Sequence, residues 1–243
     1  MKRTILPALL LSSSLAICGA NENAGAKIIK GTGIRVSNET YRIDPTKTYR
    51  LTGKFKALKP EKGWLIFGLA PLDGSWKNIQ PDAVNIVNGT DTVLAKEAKK
   101  GDMTLTLKDS AGWKNGAYLQ VKFNTKPDLS DLPNREGIPF SRIEGNIVTL
   151  KTSLRKDYPA GTAVRQHESG NSYMYSGAAY QNVPADKWVE FAGEISGESR
   201  SGISPRQFWR GTRMVKIMML TNQHDVMFKD ISFSRVLSPA LSA

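Results

Sequence analysis

Trp76 and Trp209 both stand among turn-forming residues, and recognition chemistry in this chain would start from them. Asp73-Gly74-Ser75 precedes the first, and Pro205-Arg206-Gln207-Phe208 and Arg210-Gly211 flank the second. An indole in a loop offers a flat apolar face and a single N–H donor. Left in water it is costly, and it marks contact with a ligand or partner. The competing reading folds the ring back over the edge of the core, and the turn composition leans that way for both residues. Asp73 is grouped with Trp76, and Arg210 with Trp209, as candidate binding residues. Arg200, Arg206, Arg210 and Arg213 fall within fourteen residues of one another. A guanidinium can grip a carboxylate or sulfate through two parallel N–H bonds while its plane stacks on a ring. The plainer reading of that run is a solvated basic loop.

Rings and amides together suit a sugar, whose faces are apolar and whose rim is hydroxylated. The segment NSYMYSGAAYQN supplies Tyr173, Tyr175 and Tyr180 beside Asn171, Gln181 and Asn182. Tyr173 and Tyr175 share a face if the segment is a strand. A glycan groove and a core strand with hydroxyls at its rim both stay open. Trp64 and Trp188 sit inside strand patterns and belong to the core or its margin, and Trp113 caps a small core of its own.

Catalytic constellations are thin. The two histidines, His167 and His224, lie in separate turn-like contexts without companions at metal-ligand spacing. No G-x-S-x-G elbow, P-loop or zincin helix is present. With 22 acidic residues a chance carboxylate pair always exists, so none can be nominated for glycoside hydrolysis.

The elements that must position these residues read as strands. Residues 1–20 have the layout of a secretory signal, with Lys2 and Arg3, an apolar stretch and the small-residue exit Cys18-Gly19-Ala20. Acylation at Cys18, anchoring a lipoprotein, is the lesser alternative. Either way the expected place is outside the cytoplasm: secreted, periplasmic or at the cell surface. The apolar stretch is too short to span a membrane, and none later is longer. Cys18 is the only cysteine, so after cleavage the core must hold without disulfides. The formal charge of +12 favours acidic partners, but the basic residues are scattered, and nucleic acid is not read as a partner.

Period-2 alternation recurs in TYRLTGKF, KWVEFAGEIS, VKIMML and FKDISFSRV, with Gly, Asn, Asp and Pro turns between them. VLAKEAKK, residues 93–100, is the only helix-compatible run. The middle of the chain, with MTLTL, IVTL and three Gly turns, reads as a small β unit. The expectation is an all-β chain: an antiparallel jelly-roll sandwich made by residues 27–90 and 169–237, carrying a small β-domain inserted at residues 91–168.

The ordered set YRIDPTKTYRLTGKFKA, WLIFGLAPLDGSWKNIQP, VPADKWVEFAGEISG and MVKIMMLTN with MFKDISFSRV resembles carbohydrate-binding-module-like jelly rolls of the galactose-binding type. GDMTLTLKDSAGW and DYPAGTAVR resemble a small β module common in bacterial surface proteins. The first resemblance implies a secreted, non-catalytic protein that binds a polysaccharide, acidic ones included, through Trp76, Trp209, Tyr173, Tyr175, Arg210 and Asp73. It also implies a structural calcium near the two ends of the fold, for which Asp230 and Glu39 (or Asp44) are the ligands to consider. No cofactor is otherwise required. The alternative is a structural or adhesive surface protein. Arg165-Gln166-His167 and the Tyr173 segment give a fainter likeness to jelly-roll polysaccharide lyases, with the Arg-rich first motif missing. Fold analogy supports architecture more strongly than function.

Overall fold

The computed structural model describes residues 22–59, 64–174, 182–223 and 225–237. Residues 1–21, Tyr175, Tyr180, Gln181 and His224 lie outside the described residues. Five strands come first: β1 (Lys27–Ile29), β2 (Gly33–Val36), β3 (Tyr41–Arg42), β4 (Tyr49–Ala57) and β5 (Trp64–Leu72). Six follow: β6 (Thr92–Val93), β7 (Thr104–Thr106), β8 (Leu119–Phe123), β9 (Gly137–Glu144), β10 (Ile147–Leu150) and β11 (Ala163–Glu168). The last three are β12 (Val189–Ile195), β13 (Met214–Asn222) and β14 (Val226–Arg235). Among the described residues no α-helix forms, and Pro81–Ala83 makes one 3-10 turn.

The first and last groups make two antiparallel sheets packed face to face. One has the order β1-β14-β4-β12; in the other, β13 pairs with β2 and β3 along one edge and with β5 along the other. Alternation dictates the inner face. In β4, Tyr49, Leu51, Gly53, Phe55 and Ala57 are buried while Arg50 is exposed. Phe55 meets Phe67 of β5 edge-on at 4.9 Å and Phe191 of β12 at 5.2 Å, tying the two sheets through one aromatic cluster. β14 bulges between Lys229 and Ser232, where Asp230 takes a φ of 55°. Across from the bulge, a Cβ on Gly53 would come within about 2.5 Å of Ile231 Cδ1, so a larger residue there would have to displace that side chain.

β5 is buried on both faces, which is why WLIFGLAPL reads as an unbroken apolar run. Leu65, Phe67 and Leu69 enter the main core, whereas Ile66 packs with Met218 and Tyr173 in a second cluster on the far side of the sheet. The Leu69–Met174 bridge lays the Tyr173 segment along the free edge of β5.

The middle strands form a third sheet, order β6-β11-β8-β9-β10-β7, inserted between β5 and β12 of the sandwich. It has its own core, including Leu105, Val121, Phe123, Phe140, Val148 and Val164. VLAKEAKK forms no helix. Leu94 bridges Leu107 and Ala98 bridges Tyr158, so both apolar side chains are used by this core, and tertiary packing overrides helix propensity. Trp113 lies against Phe140 and donates its Nε1–H to the Thr90 carbonyl at 2.9 Å, closing one end of the unit.

The junction between inserted unit and sandwich is polar and buried. Arg165, Gln166 and His167 of β11 are all fully buried. Arg165 donates to Asp131 at 2.8 Å, to Asp91 at 3.3 Å, to the Lys126 carbonyl at 3.2 Å and to His167 Nε2 at 3.1 Å. His167 Nδ1 lies 2.7 Å from the Asp82 carbonyl, which can only accept, so Nδ1 carries the proton and Nε2 is the acceptor for Arg165. Lys122, 2% exposed, completes the set with an ion pair to Asp82 at 2.6 Å. Burial, and then the Arg165 charge, push the imidazole down to about 3 from its usual 6.5, so it is neutral in the folded protein.

Candidate ligand-binding site

At the end of β5 the chain reverses through Asp73-Gly74-Ser75-Trp76-Lys77. The turn closes on itself with Asp73 N–H to the Lys77 carbonyl at 2.9 Å and Trp76 N–H to the Asp73 carbonyl at 3.1 Å. The Asp73 carboxylate accepts from Ser75 N–H at 2.7 Å and Lys77 N–H at 3.0 Å, the local bonding for which Asp is suited. Arg135 from the inserted unit then pairs with Asp73 at 2.8 Å and donates to the carbonyls of Lys77 and Asn78. Burial alone would raise the Asp73 carboxyl, but the Lys77 and Ser75 N–H groups and the Arg135 guanidinium hold it below the usual carboxylate range.

Trp76 is the product of this bonding. Its indole is 56% exposed, not folded over the sandwich edge, and its φ of 64° lies in the left-handed region. A bulky residue rarely occupies that region, at a cost of about 1–3 kcal/mol that the surrounding bonds must offset. The side chain is therefore presented to solvent by a turn that would be more relaxed with glycine in its place.

Trp209 goes the other way. It is 1% exposed, packed in the main core beside Phe208, with its backbone N–H on Met174 Sδ at 3.3 Å. Its Nε1–H is buried and has no hydrogen-bond partner among the described residues. Trp209 and Tyr173 together line a cleft of about 200 Å³ with Asn171, Ile203, Ser204 and Pro205. Tyr173, itself buried, is also a wall of a second cleft of about 150 Å³ that includes Asn78, Gln80, Val36 and Met218. These two residues border clefts and do not present an open ring face. Arg210 is half-buried and reaches the Arg200 carbonyl at 3.5 Å, while its neighbour Arg213 pairs with Glu198 at 2.7 Å.

The structure thus brings Asp73 and Trp76 together in one turn, and Tyr173 and Trp209 together in one cleft. Asp230 and Glu39 are each engaged by another side chain. Asp230 lies on β14 and pairs with Lys54 at 2.9 Å, whereas Glu39 precedes β3 in the opposing sheet and accepts from the Tyr41 hydroxyl at 2.6 Å. Among the described residues no group of three or more His, Cys, Asp or Glu side chains is placed to hold a metal ion. The Arg165, Gln166 and His167 side chains are committed to the junction described above.

Arg135 is the residue that the sequence conceals. It sits in the polar loop DLPNREG, where nothing in one dimension connects it with the Asp73 turn. Among the described residues no helix is long and apolar enough to cross a membrane. Comparison with protein-family models, with curated proteins and with solved structures finds no match to this chain.

Proposed function

We propose that the chain is a secreted, non-catalytic glycan-binding protein that stacks a sugar ring on Trp76. The observation that supports this most directly is the strained, clamped and exposed indole. Strained backbone of this kind clusters at functional sites, where the surrounding structure holds it in place. A flat indole offers the apolar face that a pyranose needs, and Asp73 and Arg135 fix the turn beneath it so that little entropy is lost on contact. The clefts on either side of Tyr173, with the amides of Asn171, Asn78 and Gln80, offer hydrogen-bonding rims of the kind sugar hydroxyls require.

Native affinity electrophoresis through gels containing neutral, carboxylated and sulfated polysaccharides tests the reading. The expected result is retardation on at least one polymer, reduced at least about fivefold in affinity by Trp76→Ala, a loss of about 1 kcal/mol or more. Free migration on every polymer, or retardation that Trp76→Ala leaves intact, would remove it.

A further inference from the structure

Arg135 belongs to two places at once. It clamps the Trp76 turn, and it is also one wall of a separate cleft of about 340 Å³ on the inserted unit. That volume is within the range of small-ligand sites and well above what a bare inorganic anion fills. Three cations line it, Arg135, Arg155 and Lys156, and two of them are matched, Arg135 by Asp73 and Lys156 by Glu136. Glu136 is already matched, with Lys156 Nζ 2.5 Å from one oxygen and Asn124 donating to the other at 2.9 Å. Arg155, by contrast, is exposed and has neither an ion pair nor a hydrogen bond among the described residues. Beside it the Thr152 hydroxyl is likewise uncommitted. The remaining wall is apolar and aromatic, from Ile138, Pro139, Leu154 and Tyr158, the last stacked on Phe123 with ring centroids 3.8 Å apart.

Uncompensated guanidinium, free hydroxyl and apolar wall make a combination for a ligand that carries an anion on a ring. We infer that this cleft is an anion subsite for a sugar residue bearing a carboxylate or sulfate, so that the ligand is an acidic glycan. Arg155 grips the anion and Thr152 bonds a ring hydroxyl, while Arg135 and Lys156, each already paired with a carboxylate, shape the cleft around them. The net charge of +12 draws a polyanion to the protein over longer range. This inference rests on the glycan-binding reading, and it adds the ligand's charge and a second point of contact on a different unit of the fold.

The test is an NMR titration of nitrogen-15-labelled protein at low salt with four probes: glucuronate, glucose 6-sulfate, glucose and acetate. The expected result is that glucuronate or glucose 6-sulfate shifts the Arg155 Nε–H and Thr152 amide signals. Glucose should leave those signals in place, acetate should act at least about tenfold more weakly, and Arg155→Gln should abolish the response. No shift at Arg155 and Thr152 with either charged sugar overturns the subsite. So do equal responses to acetate and to the charged sugars, which would mean a bare anion site, or an affinity unchanged by Arg155→Gln. The Trp76 indole signal reports the platform separately. Silence there with a response at Arg155 upholds the subsite and sinks the platform, and the reverse pattern does the opposite.

Discussion

Arg135 of the inserted unit pairs with Asp73 of the sandwich at 2.8 Å and bonds the carbonyls of Lys77 at 3.4 Å and Asn78 at 3.2 Å. The turn that exposes Trp76 is therefore completed by a residue from the other sheet system. Insertion of the small unit and presentation of the indole are linked by one guanidinium.

If that link sets the indole, Arg135→Met should weaken polysaccharide retention severalfold with Trp76 still present. The accompanying stability loss should be small, about 1 kcal/mol, because the pair is partly exposed. Arg135→Lys should restore little, since a single ammonium lacks the planar set of donors that serves a carboxylate and two carbonyls together. Retention by Arg135→Met equal to that of the parent would show that the clamp has no part in binding. Affinity electrophoresis and urea unfolding on the same preparations measure both quantities.

Trp76→Gly separates the cost of presenting the indole from its use. Glycine occupies a φ of 64° without steric penalty, so this variant should unfold at an equal or higher urea midpoint, by up to about 1 kcal/mol. Glycan retention should be lost at the same time. A marked loss of stability would mean that the indole packs as part of the fold, against its exposure in the structure.

The buried His167 makes stability depend on pH with a definite sign. Its folded-state value, about 3, lies below the unfolded 6.5, so below pH 6.5 the unfolded chain binds a proton that the folded chain does not. Stability from this group is fully present above pH 6.5 and declines as the pH falls toward 3, by up to roughly 1.4 kcal/mol per pH unit. Arg165 and Lys122 oppose protonation, and Asp131 and the Asp82 carbonyl favour it. Urea midpoints between pH 6.5 and 5, before most carboxylates titrate, should show this slope in the parent and a flatter line in His167→Gln. Parallel lines would show that the imidazole is protonated in the folded protein or exposed to solvent.

Lys122 and Asp82 join the inserted unit to the 3-10 turn through a pair whose lysine is buried. Lys122→Met should cost about 2–4 kcal/mol, because it leaves the Asp82 carboxylate in a partly buried place without its cation. Adding Asp82→Asn should recover part of that loss. Additive losses in the double variant would mean that the two side chains act independently.

Much of the architecture was legible because period-2 alternation is a local property. Tyr49, Leu51, Phe55 and Ala57 announce an inner face whatever their partners are, and the Gly-rich turns of the middle segment separate its strands. VLAKEAKK shows where that legibility stops. Its composition permits a helix, and only the demand of the inserted core for Leu94 and Ala98 makes it extended. Trp76 and Trp209 show the same limit for the site. Both lie among turn residues, and their neighbours in sequence do not distinguish an exposed ring from a buried one.

What the sequence by itself determined is the set of faces: which side chains are apolar, how often they recur, and where the chain can turn. Burial of alternate side chains follows from those features alone, and so does the all-β character of the chain. Tertiary structure decided which loop indole meets solvent, because that depends on Arg135 reaching Asp73 across the fold. It also decided that Arg165 and His167 serve the junction, because only packing removes the water that would otherwise solvate them. Hydrophobic periodicity is encoded residue by residue, whereas a guanidinium finds its carboxylate only after the chain has closed around both.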